Sequence, residues 1–167
     1  MFRKKKIMNH LTPTKIHTLG DYYKPPYLRE DCHRVKENDA VTANDVAYHL
    51  AKKLPKDCIL VPVPSLSGYN EAFTRMLAYY ANAPISFCLQ RALGYGSLYK
   101  MKKEGGMPIT EEMTGIWCNG PAPKQKVVLV DNVIATGTTM SAAIRAIGKP
   151  CEAACIAVDY EQYNNNN

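Results

Sequence analysis

No apolar run in this chain approaches the length of a membrane span, which excludes a helical membrane protein. The amino-terminal stretch is basic and poor in apolar residues, so no secretory leader is expected. Internal repeats are missing, as is any composition break that would mark a second domain. One domain with a continuous core is therefore expected for 167 residues. Cys151 and Cys155 lack a second pair at metal-ligand spacing, which argues against zinc. Six cysteines is an even number, yet Cys58 and Cys88 fall inside apolar strand-like runs and behave as small hydrophobes. Disulfides are not expected, and a reducing, cytoplasmic setting is.

Charge is uneven. The net value of +6 has two main sources, a basic run over residues 3–6 and the cluster Lys100, Lys102 and Lys103. Such a surface suits nucleic acid or a small ligand carrying many negative charges. Aromatic interleaving of the kind single strands require is confined to Tyr95 and Tyr99, so nucleic acid is the weaker expectation.

Along the chain, helical and extended patterns alternate. Thr42 with Asp45 three residues later reads as a helix start, and Val46, Ala47, Leu50, Ala51 and Leu54 then share one face until Pro55. Residues 58–64 read as a short buried strand, whose internal proline predicts a strand end or an edge position. A loop over 64–68 follows, then a helix over 70–80 with Phe73, Met76, Leu77 and Tyr80 on one face. Further strands are predicted at 85–89, 127–130 and 153–158, with a helix over 139–147 closed by Gly148. This alternation predicts an α/β fold, a single domain with a central parallel β-sheet flanked by helices. Residues 1–40 mix loops with an edge strand, 41–160 form the core, and the asparagine-rich 161–167 reads as a disordered tail.

The most informative segment is residues 126–141, KVVLVDNVIATGTTMS. Four apolar residues with no polar alternation indicate a strand buried on both faces. Asp131 and Asn132 come at its carboxyl end, where an open α/β sheet presents a ligand. Gly137 lets backbone N–H groups converge on a phosphate, and the following helix turns its positive end there. Thr136, Thr138 and Thr139 supply hydroxyl donors. A carboxylate and an amide beside a phosphate cradle describe a site for a sugar phosphate.

This segment resembles the PRPP-binding motif of the type I phosphoribosyltransferases, in which a hydrophobic strand and two acidic residues precede T-G-x-T. Residues 127–139 carry the match, with Asn132 at the family's second acidic position. The resemblance implies that Ala135, Thr136, Gly137, Thr138 and Thr139 hold the 5′-phosphate. It also implies that Asp131 and Asn132 meet the ribose hydroxyls, Asp131 touching Mg²⁺ through water. Ser65, Leu66, Ser67 and Gly68 match the pyrophosphate loop by position. Residues 61–78, VPVPSLSGYNEAFTRMLA, look in particular like the competence-associated phosphoribosyltransferase-like proteins, whose N-terminal zinc-binding segment has no counterpart here. The Gly- and Lys-rich stretch of over thirty residues between Gln90 and Lys126 corresponds to the family's closing loop. There Lys100 would meet the pyrophosphate.

The implied activity is transfer of ribose 5-phosphate from PRPP to a nitrogen nucleophile, a nucleobase, with Mg²⁺ and release of pyrophosphate. Residues 1–40 would form a small N-terminal hood that selects the base, with Tyr22, Tyr23 and Tyr27 as stacking candidates. Members of this family are often dimers, which makes a homodimer the expectation. Asn132 motivates the alternative, a PRPP- or nucleotide-sensing protein that keeps the site without the reaction.

Overall fold

A computed structural model describes residues 10–92, 105 and 110–167. Its centre is β5 (Lys126–Ile134), whose residues 127–130 are fully buried. β6 (Glu152–Val158) and β2 (Cys58–Pro62) flank it, and β1 (Ile16–Asp21) lies beyond β6, giving the order β1–β6–β5–β2 with every neighbour parallel. The expected parallel α/β sheet is what the structure shows.

Strand alternation divides the core into two layers. Leu60, Val128, Val130 and Ala154 face three helices, α1 (Pro26–Lys36), α2 (Ala40–Ala51) and α3 (Tyr69–Ala81). Ile59, Val127, Leu129 and Ala153 face the opposite layer, where α4 (Thr138–Ile147) contributes Met140, Ala143, Ile144 and Ile147. No helix among the described residues is long and apolar enough to cross a membrane. All six cysteines are free.

Several boundaries differ from the sequence reading. α2 starts at Ala40 because Asp39, not Thr42, is the cap: its Oδ1 accepts from the N–H groups of Val41 and Thr42 at 3.1 and 3.2 Å. Residues 85–89 do not form a strand of the main sheet. Only Ile85 bridges to Leu60, flanked by Leu60 N–H to Pro84 O and Ser86 N–H to Leu60 O, both 2.9 Å. The ladder cannot extend toward Pro62, which has no N–H to donate. The chain turns away instead, and β3 (Leu89–Arg91) pairs antiparallel with β4 (Ile116–Cys118) in a separate two-stranded sheet.

Both ends of the described chain are more ordered in structure than expected. The described part of the N-terminal segment supplies β1 and α1 to the core, with Leu28, Cys32 and Val35 buried. The expected disordered tail is a short helix, α5 (Tyr160–Asn166), started by Asp159, whose Oδ1 accepts from Gln162 N–H at 3.1 Å. The basic tail, Tyr95, Tyr99, Lys100, Lys102 and Lys103 lie outside the described residues.

Candidate functional site

Two loops leave the sheet side by side at its carboxyl edge, one after β2 and one after β5. Asn70, in the first turn of α3, ties them together. It is fully buried, and its Nδ2 donates to Val63 O and to Val130 O, both at 2.8 Å. One amide thus fixes the spacing of the two strand ends. Gly68 is the N-cap of α3, with φ 78°, a conformation costly for any side chain.

The first loop is already partly committed. Ser65 donates its N–H to Glu71 Oε1 at 2.9 Å and its hydroxyl to Glu71 Oε2 at 2.6 Å. An anion on this loop therefore meets Leu66 and Ser67 first, while Glu71 holds the loop's shape. Gly68 shapes the turn and does not line the cavity.

Asp131 and Asn132 part company. Because β5 continues to Ile134, both lie within the strand, and alternation sends their side chains to opposite faces. Asp131 lines the cavity, with Oδ1 accepting from the Asn132 N–H at 2.7 Å. Burial pushes its carboxyl up to about 6, against a pull downward from that N–H, Lys36 and Arg91. Asn132 is 1% exposed, and its Nδ2 donates to Cys32 O of α1 at 2.9 Å. The expected place of Asn132 beside the ribose is not what the structure shows.

The second loop turns at Gly137, the N-cap of α4, with φ 85°. The first turn of α4 presents N–H groups that have no helical partner, and the positive end of the helix faces the loop. Thr136 and Thr138 hydroxyls are 3.1 Å apart, and Thr138 is buried while Thr139 faces the cavity. α5 covers the outside of this turn, with Asn167 Nδ2 donating to Thr136 O at 3.0 Å.

Two adjoining cavities result. The smaller, about 100 Å³, is bounded by Ala135, Thr136, Gly137 and Thr139. The larger, about 360 Å³, is bounded by Ser65, Leu66 and Ser67. Asp131, Val133 and Thr139 line both. The structure thus brings the two predicted loops and Asp131 together, and leaves Gly68, Thr138 and Asn132 off the cavity surface. Tyr22, Tyr23 and Tyr27 do not line it either.

Three polar residues lining the larger cavity were not read from the sequence: Lys36, Tyr69 and Arg91. Tyr69 follows directly on the predicted loop, and Arg91 begins the Gly- and Lys-rich stretch, so position was a usable signal for both. Lys36 ends a segment without legible periodicity. Burial pushes the Tyr69 phenol above its ordinary range, reinforced by Asp131 and Glu71, so it stays a hydrogen-bond donor. Burial pulls the Arg91 guanidinium down while Asp131 pulls it up.

As a metal site the arrangement is sparse. No group of three or more His, Cys, Asp or Glu among the described residues is placed to hold an ion. Mg²⁺ commonly uses one or two carboxylates plus substrate phosphates, and Asp131 meets that modest requirement.

No protein-family model matches the chain, and no curated protein matches it. Solved structures do. Adenine phosphoribosyltransferase from Thermoanaerobacter pseudethanolicus aligns with TM-score 0.49 and 18% identity, over 77% of this chain and 76% of that one. Orotate phosphoribosyltransferase from Aeropyrum pernix aligns with TM-score 0.44 and 19% identity, over 77% and 67%. Glutamine PRPP amidotransferase from B. subtilis, complexed with ADP and GMP, aligns with TM-score 0.48 and 15% identity, over 70% of this chain and 26% of that one. The chain spans about a quarter of the length of that amidotransferase chain, 26%, and of a further solved chain described as the allosteric regulatory enzyme of purine biosynthesis, 25%.

Proposed function

We propose that this chain is a phosphoribosyltransferase that moves ribose 5-phosphate from PRPP to a nitrogen nucleophile, a nucleobase. The observation that carries the reading is the shared wall of the two cavities. The motif over residues 127–139 calls for a phosphate cradle and a carboxylate, and the loop over 65–68 is matched to the pyrophosphate by position; residues of both segments line cavities that share Asp131.

In this reading Ala135, Thr136, Gly137 and Thr139 hold the 5′-phosphate in the smaller cavity, with backbone N–H groups and the α4 dipole as the main attraction. Asp131 accepts from the ribose hydroxyls. Leu66 and Ser67 offer N–H groups to the pyrophosphate, Ser65 and Gly68 hold the loop's shape, and Lys100 is proposed to join them from the long loop. The nucleophile's nitrogen forms a bond to C1 as the C1–oxygen bond to pyrophosphate breaks, and the electron pair leaves with the pyrophosphate. Charge on the ribose is positive at that point, and an ionised Asp131 nearby lowers its energy. Asp131 would hold Mg²⁺ through water, and the ion would supply charge neutralisation to the leaving group.

A second reading draws on two observations. Asn132 turns away from the cavity, and Glu71 occupies both donors of Ser65. Both reduce what the site offers to a transition state while leaving the phosphate cradle intact, which suits a PRPP or nucleotide sensor. Pyrophosphate release in the presence of PRPP and a panel of bases separates the readings. The enzyme reading expects release with at least one base, abolished in Asp131→Ala. Release that persists undiminished in that variant would remove Asp131 from the reaction.

A further inference from the structure

Asn132 stands where the motif family carries an acid, and its surroundings explain the amide. Nδ2 donates to the Cys32 carbonyl on the sheet face where Cys32, Val35, Val128 and Val130 are all buried, and the Tyr69 phenol bonds the same amide. An ionised carboxylate at this point would face the Cys32 carbonyl oxygen with no proton to offer, which is costly where both are buried. An amide is the side chain this contact requires.

The contact has a second end. Cys32 and Lys36 are four residues apart on α1, so they share one helix face one turn apart. Lys36 is the last residue of α1 and lines the larger cavity with Asp131, Ser65, Ser67 and Arg91. Apolar burial of Leu28, Cys32 and Val35 keeps α1 on the sheet, but burial is non-directional and sets axial position loosely. A hydrogen bond to one backbone oxygen sets it closely. Lys36 already acts on the site, since its charge helps hold the Asp131 carboxyl down.

We propose that Asn132 is a positioning residue: by gripping α1 at the Cys32 carbonyl it holds Lys36 over the larger cavity, where the ammonium contacts the pyrophosphate group of the ligand. The inference rests on the phosphoribosyl reading above. Charge favours it, because Lys36 and Arg91 face a cavity in which the carboxylate among the described lining residues is Asp131. A pyrophosphate, with several negative charges, suits the Lys36 ammonium there.

The test is calorimetric titration of inorganic pyrophosphate and of PRPP, each with Mg²⁺, together with thermal unfolding of every variant. Lys36→Met should bind pyrophosphate about tenfold more weakly, the scale of one charge-assisted hydrogen bond, with an unchanged melting temperature. Lys36→Arg should recover most of that loss. Asn132→Asp should weaken binding and lower the melting temperature. Introduced into Lys36→Met, it should lower the melting temperature by the same amount yet weaken binding little further. A purely structural Asn132 would not produce that coupling. Lys36 is exposed, so its variants carry the test even where Asn132→Asp does not fold. Undiminished pyrophosphate binding by Lys36→Met, or tighter PRPP binding by Asn132→Asp, overturns the inference alone. Wild-type protein that binds neither ligand overturns the phosphoribosyl reading and this inference with it.

Discussion

Asp131 concentrates the conflict between folding and function at one side chain. Burial raises its carboxyl from 3.8 to about 6, so at neutral pH the fold holds a charge its surroundings oppose. The raised value makes the ionised group a destabilising one, fully so above pH 6 and not at all below 3.8. Asp131→Asn should therefore stabilise the protein by roughly 1–3 kcal/mol at pH 8 and by nothing at pH 3.5. Urea unfolding at the two pH values checks this, and an equal gain at both would deny the buried charge. Affinity for Mg²⁺-PRPP should also fall as pH drops through about 6 and Asp131 takes up a proton. Asp131 was legible in the sequence because a polar residue straight after four apolar ones marks a strand end. Its neighbour was not. Asn132 looked equivalent until the strand proved to run on to Ile134, and alternation then assigned the two side chains to different layers. Lys36 had no signal at all, since its place depends on a contact made across 100 residues.

Two turns and one staple set the geometry between elements. At Gly137 the backbone has φ 85°, and a Cβ there would meet Asn167 Nδ2 at 3.1 Å and a Tyr163 ring carbon at 3.2 Å. Gly137→Ala should cost about 1–2 kcal/mol of stability and at least about tenfold in phosphate affinity, because the N–H groups of the turn must reorient. Differential scanning calorimetry and a PRPP titration read the two effects separately. Asn70→Ala leaves the carbonyls of Val63 and Val130 without their donor, at a cost of roughly 2–4 kcal/mol in urea unfolding. A cost below half a kcal/mol would show that the strand ends hold their spacing unaided. Periodicity located α3, α4, β5 and β6 to within a residue or two, or to one end of the strand. It failed at residues 85–89, where an apolar run meets a sheet edge that Pro62 closes to further pairing. It also chose Thr42 over Asp39 as a cap; the helix starts one turn earlier, and the Thr42 hydroxyl donates to Asp39 Oδ2 at 3.1 Å.

Over the whole molecule, one sheet edge gathers every predicted loop that the structure describes. The helices hold that edge from both sides: α1 and α3 deliver Lys36 and Tyr69, and α4 delivers Thr139. The proposal puts a single phosphate in the smaller cavity and a pyrophosphate in the larger, and Asp131 lines both. The most direct test is calorimetric titration of PRPP into wild type and Asp131→Ala, each with and without Mg²⁺. The account predicts binding by wild type that strengthens with Mg²⁺ and is lost in the variant, whose melting temperature is unchanged or raised. Folded wild-type protein that takes up no PRPP, with Mg²⁺ or without, would contradict it.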